Sequence, residues 1–330
     1  MADLGEMTAI TVSDLEGCLG STKIAAFVHD AEMQFLDQTV RIADRIAWDC
    51  NLQAVFISGP TASGKTTFTH RLASALAFLG RPTCLLSMDD YYEDKQAETD
   101  ELGRPDFESI NMLDTALMMD QIQMLLDGYE VHVPHFDMVE RRRIYTSDRV
   151  RKIPPDGILL VEGLHGLSPM VLGSLERDRA LGVFIMPFGT LLDSNRLLQP
   201  REIRMLRRIS RDSHHRGASA METLDYWPVI DRAEQAVFPS YLATADVFVN
   251  SLIPYEFCVI PHLAAECIRD SLTAWREGQL EHSVYLGGKG FAEAAKAADE
   301  CERLLSLVDR IPRLAVSNIP DMSILNEFIR

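Results

Sequence analysis

The chain lacks paired cysteines. Its six, Cys18, Cys50, Cys84, Cys258, Cys267 and Cys301, are scattered with no C-x-x-C pair, which fits reduced thiols better than a disulfide framework or a zinc site. No such staple is needed, because 330 residues can bury a full core in one large α/β domain with appendages or in two ordinary domains. Long apolar runs are also missing. A membrane span needs roughly 18 residues, and the best candidate, "GILLVEGLHGL", is broken by Glu162 and His165. Asp3 and Glu6 stand where a secretory signal would carry basic residues. A soluble, cytoplasmic protein with no membrane partner is the expectation.

Basic residues are scarce, 32 against 49 acidic for a net charge of −17, which disfavours nucleic acid as a partner. Yet residues 141–152 and 196–216 hold 13 of the 32 Lys and Arg. An anionic ligand should therefore be small and should meet those two places, as a nucleotide would.

Five short apolar runs are present: "AVFIS" (54–58), "TCLLSM" (83–88), "GILLV" (157–161), "LGVFIM" (181–186) and "ADVFVN" (245–250). Separated by helical or polar stretches, they predict an α/β fold with a mostly parallel sheet and helices on both faces. Residues 30–49 read as an amphipathic helix with Leu36, Val40, Ala43 and Ala47 on its apolar face, flanked by Ile42 and Ile46. Residues 89–109 and 137–156 look like polar excursions from the sheet. After about residue 260 the pattern turns helical, with Ala294, Ala298, Cys301, Leu305 and Val308 on one stripe. The chain thus divides into an N-terminal helical extension (1–50), a central domain (51–260) and a C-terminal helical extension (261–330). The stripes at 30–49 and 291–309 belong to the core or to a seam between copies of the chain, so a homo-oligomer stays open.

Gly59-Pro-Thr-Ala-Ser-Gly64-Lys65-Thr66 fits G-x-x-x-x-G-K-S/T between a strand and a helix, the phosphate-binding loop. Glycines let the backbone approach and aim its N–H groups, the helix offers its positive end, and Lys65 reaches the outer phosphates. Thr66 would ligate magnesium. Asp100-Glu-Leu-Gly103 formally matches the D-x-x-G of GTPases, but it lies in a polar stretch and no N-K-x-D follows. "LLSMDDYY" puts Asp89 and Asp90 at the carboxyl end of the second run, where open α/β sheets collect ligands. A carboxylate there accepts a hydroxyl proton or supports magnesium; otherwise the pair caps a turn. Glu162 ends the third run as a second candidate for magnesium. Arg204, Arg208 and Arg211 share a helical face, with Arg207 adjacent and Arg216 closing the segment. Such guanidinium groups stabilise a transferring phosphoryl group from a mobile lid, or form a solvated face.

Together these elements resemble the uridine kinase/phosphoribulokinase family: "GPTASGKTTF" (59–68), "SMDDYY" (87–92), Pro-Asp-Phe within "GRPDFES", "VPHFD" (133–137), "VEGL" (161–164) and "RRISRDSHHRG" (207–217). They cover roughly residues 54 to 250. "GRPDFESIN", "EGLHGLSP", "LDYWPVIDRAE" and "SILNEFIR" are similar to the uridine kinase-like domain of bacterial TGS-containing proteins. Too little chain precedes the loop for that TGS region, so the kinase portion alone is expected.

The resemblance implies ATP and magnesium, with Gly59, Ser63, Gly64, Lys65, Thr66, Thr67 and Arg216 serving the nucleotide and Thr66, Glu162 and Asp89 the metal. It makes Asp89, Lys65, Arg208 and Arg211 catalytic. On the acceptor side the sequence departs from the family, with Gly103 before Arg104-Pro105 and with Phe136-Asp137-Met138 and Arg141 in place of Tyr-Asp-Phe and a histidine. Asp106 would still reach a ribose hydroxyl, Phe136 would stack on a base, and Arg141 would suit an anionic acceptor. The expected activity is phosphorylation of a nucleoside 5′-hydroxyl by Mg-ATP. The alternatives are a kinase for another sugar or small alcohol, and a non-catalytic ATP-binding regulatory module.

Overall fold

A computed structural model describes residues 7–138, 140–173 and 175–329. The chain enters through strand β1 (Thr8–Thr11) and helix α1 (Val12–Cys18). Thr11 and Asp14 cap that helix reciprocally, each taking a backbone N–H at 3.0 Å. Helix α2 (Ile24–Trp48) follows. It covers the predicted segment, and Ala43 of the predicted face is buried with the flanking Ile42 and Ile46, but the stripe is rotated toward Val28, Phe35 and Thr39, leaving Leu36 and Val40 42% and 46% exposed. Apolar residues on both sides of a helix leave the phase of its stripe open. Phe35 decides it here, packing edge-on against Phe68 at 6.4 Å with Arg71 over its ring.

Next come β2 (Ala54–Ser58), α3 (Lys65–Phe78), β3 (Thr83–Ser87) and α4 (Thr115–Leu126). Beyond α4 lie β4 (Val131–His132), β5 (His135–Asp137), β6 (Arg142–Ile144) and β7 (Val150–Arg151), where β4 pairs with β7 and β5 with β6. The chain continues through β8 (Ile158–Glu162), α5 (Pro169–Leu172), β9 (Ala180–Met186), β10 (Gly189–Asp193) and β11 (Asn195–Leu198). It ends through α6 (Pro200–His215), α7 (Ala220–Thr244), β12 (Val247–Asn250), α8 (Ile260–Arg276), α9 (Ala294–Val308) and α10 (Asn326–Ile329).

All five apolar runs are strands of one parallel sheet in the order β12-β9-β2-β8-β3, so the fold is α/β. Successive side chains point to opposite faces. Val55, Ile57, Leu160 and Val183 join residues of α2, α3, α6, α8 and α9 in one core, while Ala54, Phe56, Leu159 and Phe184 join α4 and α5 in the other. A second small sheet, β1-β10-β11, carries no periodic signal long enough to foresee. Among the described residues no helix is long and apolar enough to cross a membrane.

The excursion after β3 is held by charge. Asp100 accepts the N–H groups of Leu102 and Arg104 at 2.9 Å, Arg104 Nε at 2.8 Å and Arg232 at 3.0 Å. The D-x-x-G match is thus a structural loop, with Gly103 in the left-handed region at φ +80°. Burial opposes the charge, but Arg104 and Arg232 overcome it and bring the Asp100 carboxyl from 3.8 to about 2. A depressed folded value contributes stability that is present above the unfolded value and lost as pH falls through the folded one. Acid unfolding of the parent is therefore expected to steepen between about pH 4 and pH 2, and Asp100→Asn to flatten that limb. Thermal melts across this window check it; superimposable acid limbs would remove Asp100 from the account.

Candidate functional site

The carboxyl ends of β2, β3 and β8 converge where the chain leaves β2 for α3. Two glycines are needed there for different reasons. A Cβ on Gly59 would stand 2.1 Å from the carbonyl oxygen of Ile185. Gly64 caps α3 at φ +87°, a conformation that L side chains rarely adopt. The Lys65 Nζ folds back over the loop and donates to Pro60 O at 3.1 Å. Thr66 Oγ1 lies 3.4 Å from Glu162 Oε1, which also takes a hydrogen bond from Ser87 Oγ at 2.8 Å. The hydroxyl of Thr67 donates to Glu327 Oε2 at 2.8 Å.

Three predicted residues thus meet here, because Asp89 adds its charge to the same spot. Burial first, then the neighbouring Asp89 charge, pushes the Glu162 carboxyl up to about 7, against the pull of Lys65. Asp89 sits in the turn Met88–Tyr91, exposed and making no hydrogen bond or ion pair among the described residues. Its neighbour has another fate: Asp90 pairs with Arg149 and accepts from His135 Nδ1 at 2.9 Å. A cavity of about 610 Å³ runs past Thr66, Asp89 and Glu162 toward Arg149, Arg151 and Lys152. Another, of about 330 Å³, lies apart between α6, α7 and α9, and its Arg201 and Arg303 are already paired with Asp231 and Glu300.

The arginine segment divides in two. Arg204 holds Glu234 through two bonds of 2.6 and 2.7 Å, and Arg207, fully buried, holds Glu256 and donates to Ser251 O at 2.8 Å. Neither is available to a phosphate, which corrects the reading of one arginine face. Nor is α6 a free lid, since Ile203 to Ser210 are buried; a helix whose charged side chains find buried carboxylates can pack as tightly as an apolar one. The remaining three guanidinium groups crowd one acid. Arg208, Arg211 and Arg216 approach Asp212 to 3.1, 2.8 and 3.7 Å. Burial would raise the Asp212 carboxyl, but these three cations hold it well below the usual range. Positive charge is left over, and Arg208 reaches the loop itself, donating to Thr61 Oγ1 at 3.0 Å.

Opposite the loop stands an aromatic group. Tyr92 donates to Phe107 O at 3.0 Å, and the guanidinium of Arg141, at a strained φ of +51°, lies 3.6 Å over the Phe107 ring. Phe136 does not offer the free face expected of it: it is 4% exposed and packs against Tyr92 at 5.5 Å. Asp106 is half-buried, its carboxyl raised by burial, and accepts the Glu108 N–H at 3.1 Å. Burial, then the charges of Asp89 and Glu108, raises the Tyr92 hydroxyl well above its ordinary value, which ties this group to Asp89. Tyr92, Phe107, Glu108 and Glu327 carried no assigned role in the sequence, although all four lie within the motif stretches, Glu327 in "SILNEFIR".

The donor set fits a polyphosphate and its magnesium. Among the described residues Ser63 Oγ is buried with no hydrogen-bond partner, and an unmet buried hydroxyl costs free energy until an acceptor arrives. Thr66, Glu162 and Asp89 offer hard oxygen donors, the kind magnesium takes in small number alongside phosphates and water.

Residues 55–253 match the Phosphoribulokinase / Uridine kinase family. A uridine kinase of Ligilactobacillus salivarius is 28% identical over 62% of this chain and 83% of its own; one of Staphylococcus aureus is 29% identical over 62% and 85%. A solved structure described as "a Possible Uridine Kinase" from Bacillus stearothermophilus aligns with 64% of this chain and 97% of its own at 17% identity, with a TM-score of 0.41.

Proposed function

Because the chain belongs to the phosphoribulokinase/uridine kinase family of small-molecule kinases, we propose that it transfers the γ-phosphoryl group of Mg-ATP to the 5′-hydroxyl of a nucleoside. The observation that carries this reading is an exposed, unpaired Asp89 beside Lys65, Thr66 and Glu162. In this reading Asp89 accepts the proton of the acceptor hydroxyl as the new P–O bond forms and the γ-phosphorus bond to the β-phosphate oxygen breaks, releasing ADP. Gly59, Ser63, Gly64 and Thr67 seat the phosphates, and Lys65, Arg208, Arg211 and Arg216 neutralise the charge that builds on them. Thr66 and Glu162 would hold magnesium, which when bound offsets the charge of the phosphates, while Asp89 stands beside them facing the acceptor. Phe107 and Tyr92 wall the acceptor, supported from behind by Phe136, with Asp106 and Arg141 at its edge. Residues 51–260 form the kinase unit, and the extension 261–330 adds α8 and α9 to its core.

One observation favours a second acceptor class. Arg149, Arg151 and Lys152 line the same cavity as Asp89, and the Arg151 guanidinium meets only the carbonyls of Asp148 and Val150 among the described residues. An anionic sugar would suit them. ADP release from Mg-ATP across a panel of nucleosides and phosphorylated sugars, with Lys65→Ala as the blank, decides between the two. Stimulation of about tenfold or more by one nucleoside is expected. Stimulation by a sugar phosphate alone would move the acceptor to the second class, and intact ATP binding with no stimulation by any compound would leave a regulatory module.

A further inference from the structure

The C-terminal segment returns to the phosphate loop. Glu327 Oε2 accepts a hydrogen bond from the Thr67 hydroxyl at 2.8 Å. Thr67 is the third residue of α3, in the turn whose unpaired N–H groups and positive end receive phosphates. Ile324 meanwhile fills the space beside Gly64: a Cβ there would stand 2.5 Å from Ile324 Cδ1. The segment therefore meets the loop and its helix at two points, Ile324 at Gly64 and the Glu327 carboxylate at Thr67.

It is also firmly held there. Ile324, Leu325 and Phe328 are completely buried. Phe328 O accepts from Ser210 Oγ at 2.7 Å, and the Arg207 guanidinium lies 4.8 Å over the Phe328 ring. Ser323 meets the Tyr255 hydroxyl at 3.0 Å. These anchors lie on α6 and near the start of α8, so the segment spans from the arginine helix to the phosphate loop. It lies beyond the family match, which ends at residue 253. The charge of Glu327 is felt as far as Glu162.

A carboxylate and a phosphate compete for the same things at a helix N-terminus: hydroxyl and N–H donors, and the positive end of the helix. A nucleotide entering the loop must take the Thr67 hydroxyl from Glu327 or share the turn with a like charge. We infer that Glu327 is a built-in competitor of the nucleotide phosphates, presented by the anchored C-terminal segment, and that it lowers the affinity of the loop for Mg-ATP. The inference rests on the nucleotide reading above. A purely structural role for Glu327 predicts the opposite sign, because loss of a useful contact would loosen the loop and weaken binding.

Titration calorimetry of the full chain with Mg-ATP separates the two. Glu327→Gln keeps the shape and an acceptor for Thr67 while removing the charge, and it is expected to lower Kd about tenfold with an unchanged melting temperature. In a Thr67→Ala background, where the contested hydroxyl is gone, the gain should shrink by at least half. Glu327→Ala serves where the amide unsettles the segment. A Kd that is unchanged or raised in both Glu327 variants overturns the inference. Mg-ATP binding that is absent from the parent and from Lys65→Ala alike overturns the nucleotide reading itself, and parent binding that depends on Lys65 but does not tighten in the Glu327 variants overturns only the competitor.

Discussion

Asp89→Asn is expected to lower turnover by about 10²- to 10⁴-fold, the range associated with loss of a positioned general base, while the Kd for Mg-ATP stays within about threefold of the parent. The asparagine keeps the shape of the side chain and removes its ability to take a proton. The fold should not notice, because Asp89 is exposed and makes no bond that the change would break. Asp90 cannot substitute, although it is the next residue, since Arg149 and His135 already hold its two oxygens. Single-turnover kinetics with the best acceptor, paired with calorimetry, checks both halves. Equal turnover in parent and variant would remove Asp89 from the chemistry, and a large loss of Mg-ATP affinity would move its role from the acceptor to the metal.

The second large effect is on stability. Arg207→Ala leaves Glu256, 1% exposed, without its cation, and breaking a buried pair in this way costs about 3–5 kcal/mol. A fall in melting temperature of about 4–7 °C is expected. The replacement also removes the donor to Ala62 O, at 3.3 Å inside the phosphate loop, so Mg-ATP binding should weaken with it. Arg208→Ala, one residue on, should behave differently. Asp212 keeps Arg211 and Arg216, so the melting temperature should fall by less, and the loss should appear in turnover as charge neutralisation at the loop. Replacing Arg207 and Glu256 together by methionine and leucine should recover much of the lost stability, because a well-packed apolar pair often equals a buried ion pair. Thermal unfolding of the four proteins is the measurement. Similar melting temperatures for Arg207→Ala and Arg208→Ala would contradict the division of the arginine helix into structural and phosphate-facing members.

That division marks the limit of what was legible in one dimension. The five strands could be read because each is a short apolar run; of the inner ones, Ala54–Ser58 and Ile158–Glu162 are buried at every position, while the edge strands β3 and β12 are half-buried. The loop between β2 and α3 stands out because phosphate chemistry demands residue types at fixed spacing within one turn. The clustering of basic residues singles out two segments, but it could not say which guanidinium would meet a carboxylate. Arg207 and Arg208 are neighbours in α6 with the same charge, and only the approach of Glu256 from beyond β12 makes one of them structural. The inward stripe of α2 is rotated from the one its sequence suggests for a related reason, since the residues that select it, Phe68 and Arg71, belong to another helix.

By itself, then, the sequence determined the alternation of strands and helices, the phosphate-binding turn and the carboxylates at the strand ends, all of them local patterns set by backbone geometry and residue chemistry over a few positions. Tertiary structure alone decided what depends on distant partners: which aspartate of the Asp89-Asp90 pair stays free, that Phe136 supports Tyr92 instead of offering its face, and that Glu327 reaches Thr67 across most of the chain. Contacts between residues far apart in sequence follow from how helices and sheet pack around two cores, and no periodicity within either segment encodes the meeting.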